Sequence, residues 1–260
     1  MEGMAGSTTI AVADGLKAEL DKLALASRIL EMEGHGSRTL GHVALRDSEG
    51  RGLWIKRWGI TFGEMFDWTD FQLIGFDGKL IYGDGKRHGE WPIHTGIMKR
   101  RPDINVTAHT HPAYGRIFSA ADEPLLPVSN AGSYFETPPP RFTRTSELIR
   151  KAEEGDELAE VLGSHLAMFM RNHGVVFCGD SIAKMTIIGI HLEEACREML
   201  IMKSSGLKWS WPGEAEQARK FRGIGQPKNV ESFFEYFARK LAATQAIGDP
   251  ALPAARRAPA

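Results

Sequence analysis

Between Asp14 and Glu33, apolar side chains recur at Leu16, Leu20, Leu23, Leu25, Ile29 and Leu30. Most of them fall at helical spacing, which predicts an amphipathic helix with Asp14 as its N-cap. Glycines at 34, 36 and 41 interrupt the pattern, and short strand-like runs follow at His42–Arg46, Gly52–Lys56 and Phe71–Phe76. Asp77-Gly78 then turns the chain into Lys79–Tyr82, as a hairpin would. Trp91–Arg100 predicts a helix with Pro92 in its first turn, Ile104–His109 a strand, and Ala113–Ala121 a short helix. Pro138, Pro139 and Pro140 make 136–143 a loop. Helical patterns return at Ser146–Lys151, Glu157–Leu162 and, most strongly, Ser181–Ser204. Two apolar strands, Leu166–Met170 and Gly174–Cys178, lie between the last two. Alternation of this kind predicts a single α/β domain. Its bounds read as 13–245, after a flexible lead over 1–12 and before a disordered tail over 246–260 that turns Ala/Pro/Arg-rich from Asp249 on.

Composition narrows the class without naming it. Lys plus Arg total 32 against 33 for Asp plus Glu, so the net charge of −1 offers no basic excess for sequence-independent nucleic-acid binding. No apolar run approaches the ~20 residues of a membrane span, and the first residues lack a signal-peptide pattern. Only two cysteines occur, Cys178 and Cys196, with no CxxC pair. A disulfide scaffold is thereby excluded, and the expected setting is soluble and cytoplasmic, without nucleic-acid or membrane partners.

Placement of the nine histidines carries the chemistry. In Ala108-His109-Thr110-His111-Pro112, residues i and i+2 of a strand project both imidazoles to one side, a start for a divalent-metal site. His173, in Arg171-Asn172-His173-Gly174, sits at a turn between two apolar strands. It reads either as a third group aimed into a pocket or as a surface turn residue. Glu90, in Gly89-Glu90-Trp91-Pro92, reads alone as a first-turn carboxylate favoured by the helix dipole.

Taken together, these segments resemble the class II aldolase/adducin family. The likeness rests on Glu90-Trp91-Pro92-Ile93-His94, on Arg101-Pro102-Asp103, on His109-Thr110-His111-Pro112, and on Asn172-His173-Gly174 followed by a helix containing Leu192-Glu193. It spans roughly residues 14 to 205. The resemblance implies a three-layer α-β-α fold with a central, mostly antiparallel sheet, assembled as a homotetramer with active sites at subunit interfaces. It implies that His109, His111 and His173 hold Zn or Mn, with Fe or Co as alternatives. It also implies that Glu90 is the general acid/base.

Departures from the family pattern bear on the substrate. Sugar-phosphate aldolases of this family cradle phosphate with small and hydroxylated residues. Here the three corresponding positions read Gly41-His42, Trp58-Gly59 and His88-Gly89. Loss of the hydroxyls and gain of an indole argue against a sugar phosphate. Nearby Trp54, Lys56, Arg57, Trp58, Lys86, Arg87 and His88 favour a planar anion, held by ring stacking and cationic groups. Family branches of this appearance decarboxylate hydroxylated aromatic or heteroaromatic carboxylates, such as dihydroxyphthalate or 3-hydroxy-2-methylpyridine-4,5-dicarboxylate. In that chemistry the metal stabilises a developing enolate and Glu90 moves the proton. Trp58, Arg87, His88, His94, Arg116 and Tyr236 complete the expected substrate contacts, Tyr236 reaching a neighbouring subunit's site. Three alternatives share the pattern: an aldolase acting on a non-phosphorylated hydroxy-keto acid, a non-haem iron oxygenase, and a non-catalytic adducin-like module.

Overall fold

The computed structural model describes residues 11–247, with side chains through 245. Its strands are β1 (His42–Arg46), β2 (Leu53–Lys56), β3 (Phe71–Ile74), β4 (Leu80–Tyr82), β5 (Val106–Thr110), β6 (Arg141–Phe142), β7 (Ala167–Met170) and β8 (Gly174–Gly179). The helices are α1 (Asp14–Leu30), α2 (Trp91–Arg100), α3 (Ala113–Ser119), α4 (Ala152–Leu162), α5 (Ile182–Ser204), α6 (Glu214–Ile224) and α7 (Pro227–Ile247). The strands form one sheet in the order β4-β3-β2-β1-β5-β8-β7-β6. Every pairing is antiparallel except β6 with β7.

Strand periodicity sorts the core into two layers. Along β8, Val175 and Phe177 face the cluster built with α1, α3, α5 and α7, while Val176 and Cys178 face the one built with α2 and α4. Alternate residues point to opposite faces, so a sheet apolar on both sides needs helices on both. The fold is therefore a three-layer α/β arrangement with a mostly antiparallel sheet. Both cysteines are free and buried. Among the described residues no helix is long and apolar enough to cross a membrane.

Several local expectations change. Ala13, not Asp14, is the N-cap of α1; Asp14 is the first helical residue and pairs with Lys17 at 2.9 Å. The segment Ser146–Lys151 is not helical: the Ile149 N–H is committed to Glu90, and helix α4 begins at Ala152, after Glu154 has accepted the Lys151 N–H. Trp54 packs in the core with its indole N–H donated to Asp47 at 2.9 Å, so it cannot stack on a substrate. Arg57 engages Asp70 at 3.2 Å. Helices α6 and α7 extend the fold beyond Ser204, and α7 covers α1 and α5 through Val230, Phe234 and Leu241. Of the expected lead, Val12 is buried against the core. Of the expected tail, residues 246 and 247 end α7, and the remainder lies outside the described residues.

Candidate active site

Antiparallel pairing brings three chain segments to one end of the sheet. His42 opens β1 and lies opposite His109 near the end of β5. His109 in turn lies opposite Val176 of β8, so the turn before β8 delivers His173 to the same end. That turn is closed by the His173 N–H donating to the Met170 carbonyl at 3.0 Å, with Asn172 at φ +58°. Gly174 is needed beside it. A Cβ there would stand 2.5 Å from the Thr110 oxygen and 2.9 Å from the His111 ring.

The ligand atoms of His109, His111 and His173 lie within 4.8 Å of one another. The His109 and His111 ring centroids are 4.5 Å apart, and those of His111 and His173 are 5.2 Å apart. His109 Nδ1 donates to the Val175 carbonyl at 3.0 Å, so its Nε2 presents a lone pair and has no protein partner. Burial pulls all three imidazoles below their usual range, His109 far below and His111 to about 4. Neutral rings are the ligating form. Three of them converging on one point fit a divalent cation with coordination positions left open.

Glu90 faces this group from the N-cap of α2, but its carboxylate does not cap that helix. Its Oε1 accepts the Ile149 N–H at 3.0 Å. Oε2 stands 3.7 Å from His109 Nε2 and 3.9 Å from His42 Nε2, while Oε1 is 3.9 Å from His173 Nε2. These separations are too long for hydrogen bonds. The carboxylate and the rings thus surround a common space rather than satisfy each other. Burial raises Glu90 to about 7, opposed by the Ile149 N–H and by Arg150. A carboxyl poised near neutrality can give or accept a proton at working pH.

Behind this layer stands another, mostly of histidines. His42 Nδ1 meets His94 Nε2 at 2.6 Å, and His94 Nδ1 meets Thr107 Oγ1 at 2.6 Å. His88 lies against His42 with centroids 4.2 Å apart. His35 Nδ1 meets Thr110 Oγ1 at 2.9 Å, fixing the residue between the paired histidines. Glu193 accepts the N–H groups of Tyr114 and Gly115 at 2.9 and 2.7 Å, which holds α3 directly after His111-Pro112.

The other expected contacts are placed as follows. His88 is buried within the site, and His94 lies one ring behind it, reaching the interior through His42. Arg116 is exposed on α3, near enough to His111 to depress its basicity. Trp58 is 50% exposed with Lys86 4.7 Å over its ring, and Arg87 lies 5.1 Å over Trp91. Tyr236 is 51% exposed on α7, with its ring against Phe237. The sequence pattern marked His42 only as a departure from the phosphate-cradle positions and gave His35, Thr107 and Ile149 no role. The available signal was a polar residue opening an otherwise apolar strand.

Comparison with known proteins agrees with this fold. The model of the class II aldolase and adducin N-terminal domain matches residues 21–200. A meiotically up-regulated gene 14 protein of Schizosaccharomyces pombe is 27% identical over 72% of this chain and 73% of its own length. A 3,4-dihydroxyphthalate decarboxylase of Arthrobacter keyseri is 26% identical over 72% of this chain and 79% of its own. Among solved structures, an L-fuculose 1-phosphate aldolase from Glaciozyma antarctica superposes with a TM-score of 0.78. It shares 24% identity and covers 92% of this chain and 94% of its own, a likeness of fold. With residues 21–200 of its 260 matched by the family's domain, this chain belongs to the class II aldolase and adducin N-terminal domain family.

Proposed function

We propose that this chain is a divalent-metal-dependent carbon–carbon lyase that decarboxylates a hydroxylated aromatic or heteroaromatic carboxylate. One observation carries the reading: a buried Glu90 carboxylate faces three imidazole nitrogens at 3.7 to 3.9 Å and hydrogen-bonds to none of them. Such a space is suited to a cation and an anionic substrate together. The 3,4-dihydroxyphthalate decarboxylase relative supports the substrate class. So does the interior beside Glu90, where the His42 and His88 rings occupy positions that small and hydroxylated residues would fill in a phosphate cradle.

His109, His111 and His173 would hold the metal, Zn or Mn being the expected ions. When bound, it would supply positive charge that draws the anionic substrate into the space beside Glu90. Glu90 performs the proton step. The Ile149 N–H fixes Oε1, leaving Oε2 turned toward the space between the rings. In its protonated form Glu90 gives a proton to the ring carbon that carries the carboxylate. The carbon–carbon bond then breaks, its electron pair returns to the ring, CO₂ departs, and Glu90 is reprotonated from water. General acid catalysis of this kind contributes about 10²- to 10⁴-fold.

The exposed Phe233 and Tyr236 on α7 support an assembly, proposed as a homotetramer, in which Tyr236 reaches a neighbouring site. The free, buried cysteines support a reducing, cytoplasmic setting.

The test is CO₂ release from a panel of ortho-hydroxy aromatic and pyridine carboxylates, including 3,4-dihydroxyphthalate. Release should stop on chelation and return with Mn²⁺ or Zn²⁺. Metal-loaded protein that releases none across the panel would refute decarboxylation and direct attention to aldol cleavage of a non-phosphorylated hydroxy-keto acid.

A further inference from the structure

Three side chains form a hydrogen-bonded line from the sheet interior to the site: Thr107, His94 and His42, joined by two contacts of 2.6 Å. All three are fully buried. His42 Nε2, at the site end, has no partner and stands 3.9 Å from Glu90 Oε2. The line admits two proton arrangements. In one, the Thr107 hydroxyl donates to His94 Nδ1, His94 Nε2–H donates to His42 Nδ1, and His42 Nε2–H points into the site. In the other, every bond is reversed and His42 presents a lone pair.

The surroundings decide between them. Among the described residues, the Thr107 hydroxyl has His94 as its one hydrogen-bond partner. Reversal would leave its proton buried without an acceptor, which is costly. It would also turn a lone pair toward any anionic substrate. The first arrangement satisfies every internal proton and presents a donor where negative charge gathers.

We infer that His42 is a substrate-positioning residue whose Nε2–H binds a carboxylate oxygen of the substrate, its tautomer set by Thr107 through His94. The assignment rests on the carboxylate-substrate reading above and extends it to specificity. A donor locked by two buried partners loses little freedom on binding. It selects a carboxylate over a group that lacks the charge. Reversed, His42 would instead complete the alternative cation site formed with Glu90 and His109. That alternative is an outcome of the test.

The experiment is calorimetric titration of metal-loaded protein with salicylate and with catechol, which lacks the carboxylate, alongside metal analysis of every preparation. Thr107→Val should weaken salicylate binding about tenfold or more, as expected for one charge-assisted hydrogen bond. Catechol binding should be unchanged, and Thr107→Ser should restore salicylate. His42→Gln should show the same selective loss while retaining its metal, and it carries the test if Thr107→Val does not fold. The inference is overturned by a wild type that does not bind salicylate, by equal losses for both ligands, by a Thr107→Val protein that binds salicylate normally, or by loss of metal in His42→Gln. Thr107-dependent salicylate binding without CO₂ release from any panel acid would leave the His42 assignment standing and remove decarboxylation. CO₂ release indifferent to Thr107 would do the reverse.

Discussion

Replacing Gly155 by alanine puts a methyl group where α4 packs directly on α2. A Cβ at this position would stand 2.2 Å from the Pro92 carbonyl oxygen and 2.7 Å from its carbon. Gly96 approaches from the opposite side, where a Cβ would meet the Gly155 oxygen at 2.3 Å. An ordinary carbon–oxygen contact is about 3.3 Å, so the helices must separate by roughly 1 Å. Backbone on both sides cannot yield locally. Overpacking of this kind costs about 1–3 kcal/mol, partly offset by the ~1 kcal/mol that alanine contributes over glycine in a helix. The net loss should lower Tm by several degrees, at about 2–4 °C per kcal/mol for a chain of this size. The effect on the site is the sharper consequence. Glu90 lies two residues before Pro92, and Ile149, whose N–H fixes its carboxylate, lies just before α4. A shift near 1 Å between them should reduce turnover by about 10²-fold. His109, His111 and His173 stand on strand ends outside this contact, so metal content should be unchanged. Gly15→Ala, where no atom lies within 4 Å of the added methyl, is the control and should be neutral or stabilising. Calorimetry, metal analysis and CO₂ release on the two variants form the assay. Wild-type Tm and turnover in Gly155→Ala would refute the claim that this helix contact sets the position of Glu90.

His109→Ala and His173→Ala should each abolish stoichiometric metal binding in equilibrium dialysis. Retention of one tight ion per chain in either would show that the three histidines are not the site. Stability of the metal-free protein should fall with acid. Burial holds His35 at about 4 and His94 at about 3 in the folded state, against about 6.5 when unfolded. Unfolding then takes up protons. The stabilisation is complete above about 6.5 and is lost as pH falls, at about 1.4 kcal/mol per unit for each ring, until its folded value is reached. Urea titrations at pH 7, 6 and 5 measure this, and a flat profile would contradict the neutral, buried assignment.

Much of this architecture was legible in the residue pattern because it is carried by local periodicity. His42–Arg46 and Trp91–Arg100 match their observed limits, since turn residues and a helix-compatible Pro92 mark them directly. The paired histidines were legible from the i, i+2 spacing of a strand, whereas His173 and Glu90 gained their expected roles only from the resemblance to the class II aldolase/adducin family. Partnerships set by register were not. Nothing near His42 in sequence shows that β1 places it opposite His109, or that His94 arrives from a helix to bind it. Ser146–Lys151 has helical composition, but a tertiary partner, Glu90, claims the Ile149 N–H. Trp54 was misplaced for the related reason that its indole finds a buried acceptor, Asp47, inside the core.

On the proposed function, Glu90 moves a proton beside a cation held by His109, His111 and His173. Glu90→Gln keeps a carbonyl oxygen for the Ile149 N–H and removes the titrating group. Metal content and CO₂ release are then measured on the same preparation. One divalent ion per chain is expected, as in the wild type, with turnover lowered at least about 10²-fold. Turnover near the wild-type rate would contradict it, and so would loss of the ion together with activity, which would make Glu90 a ligand rather than the acid.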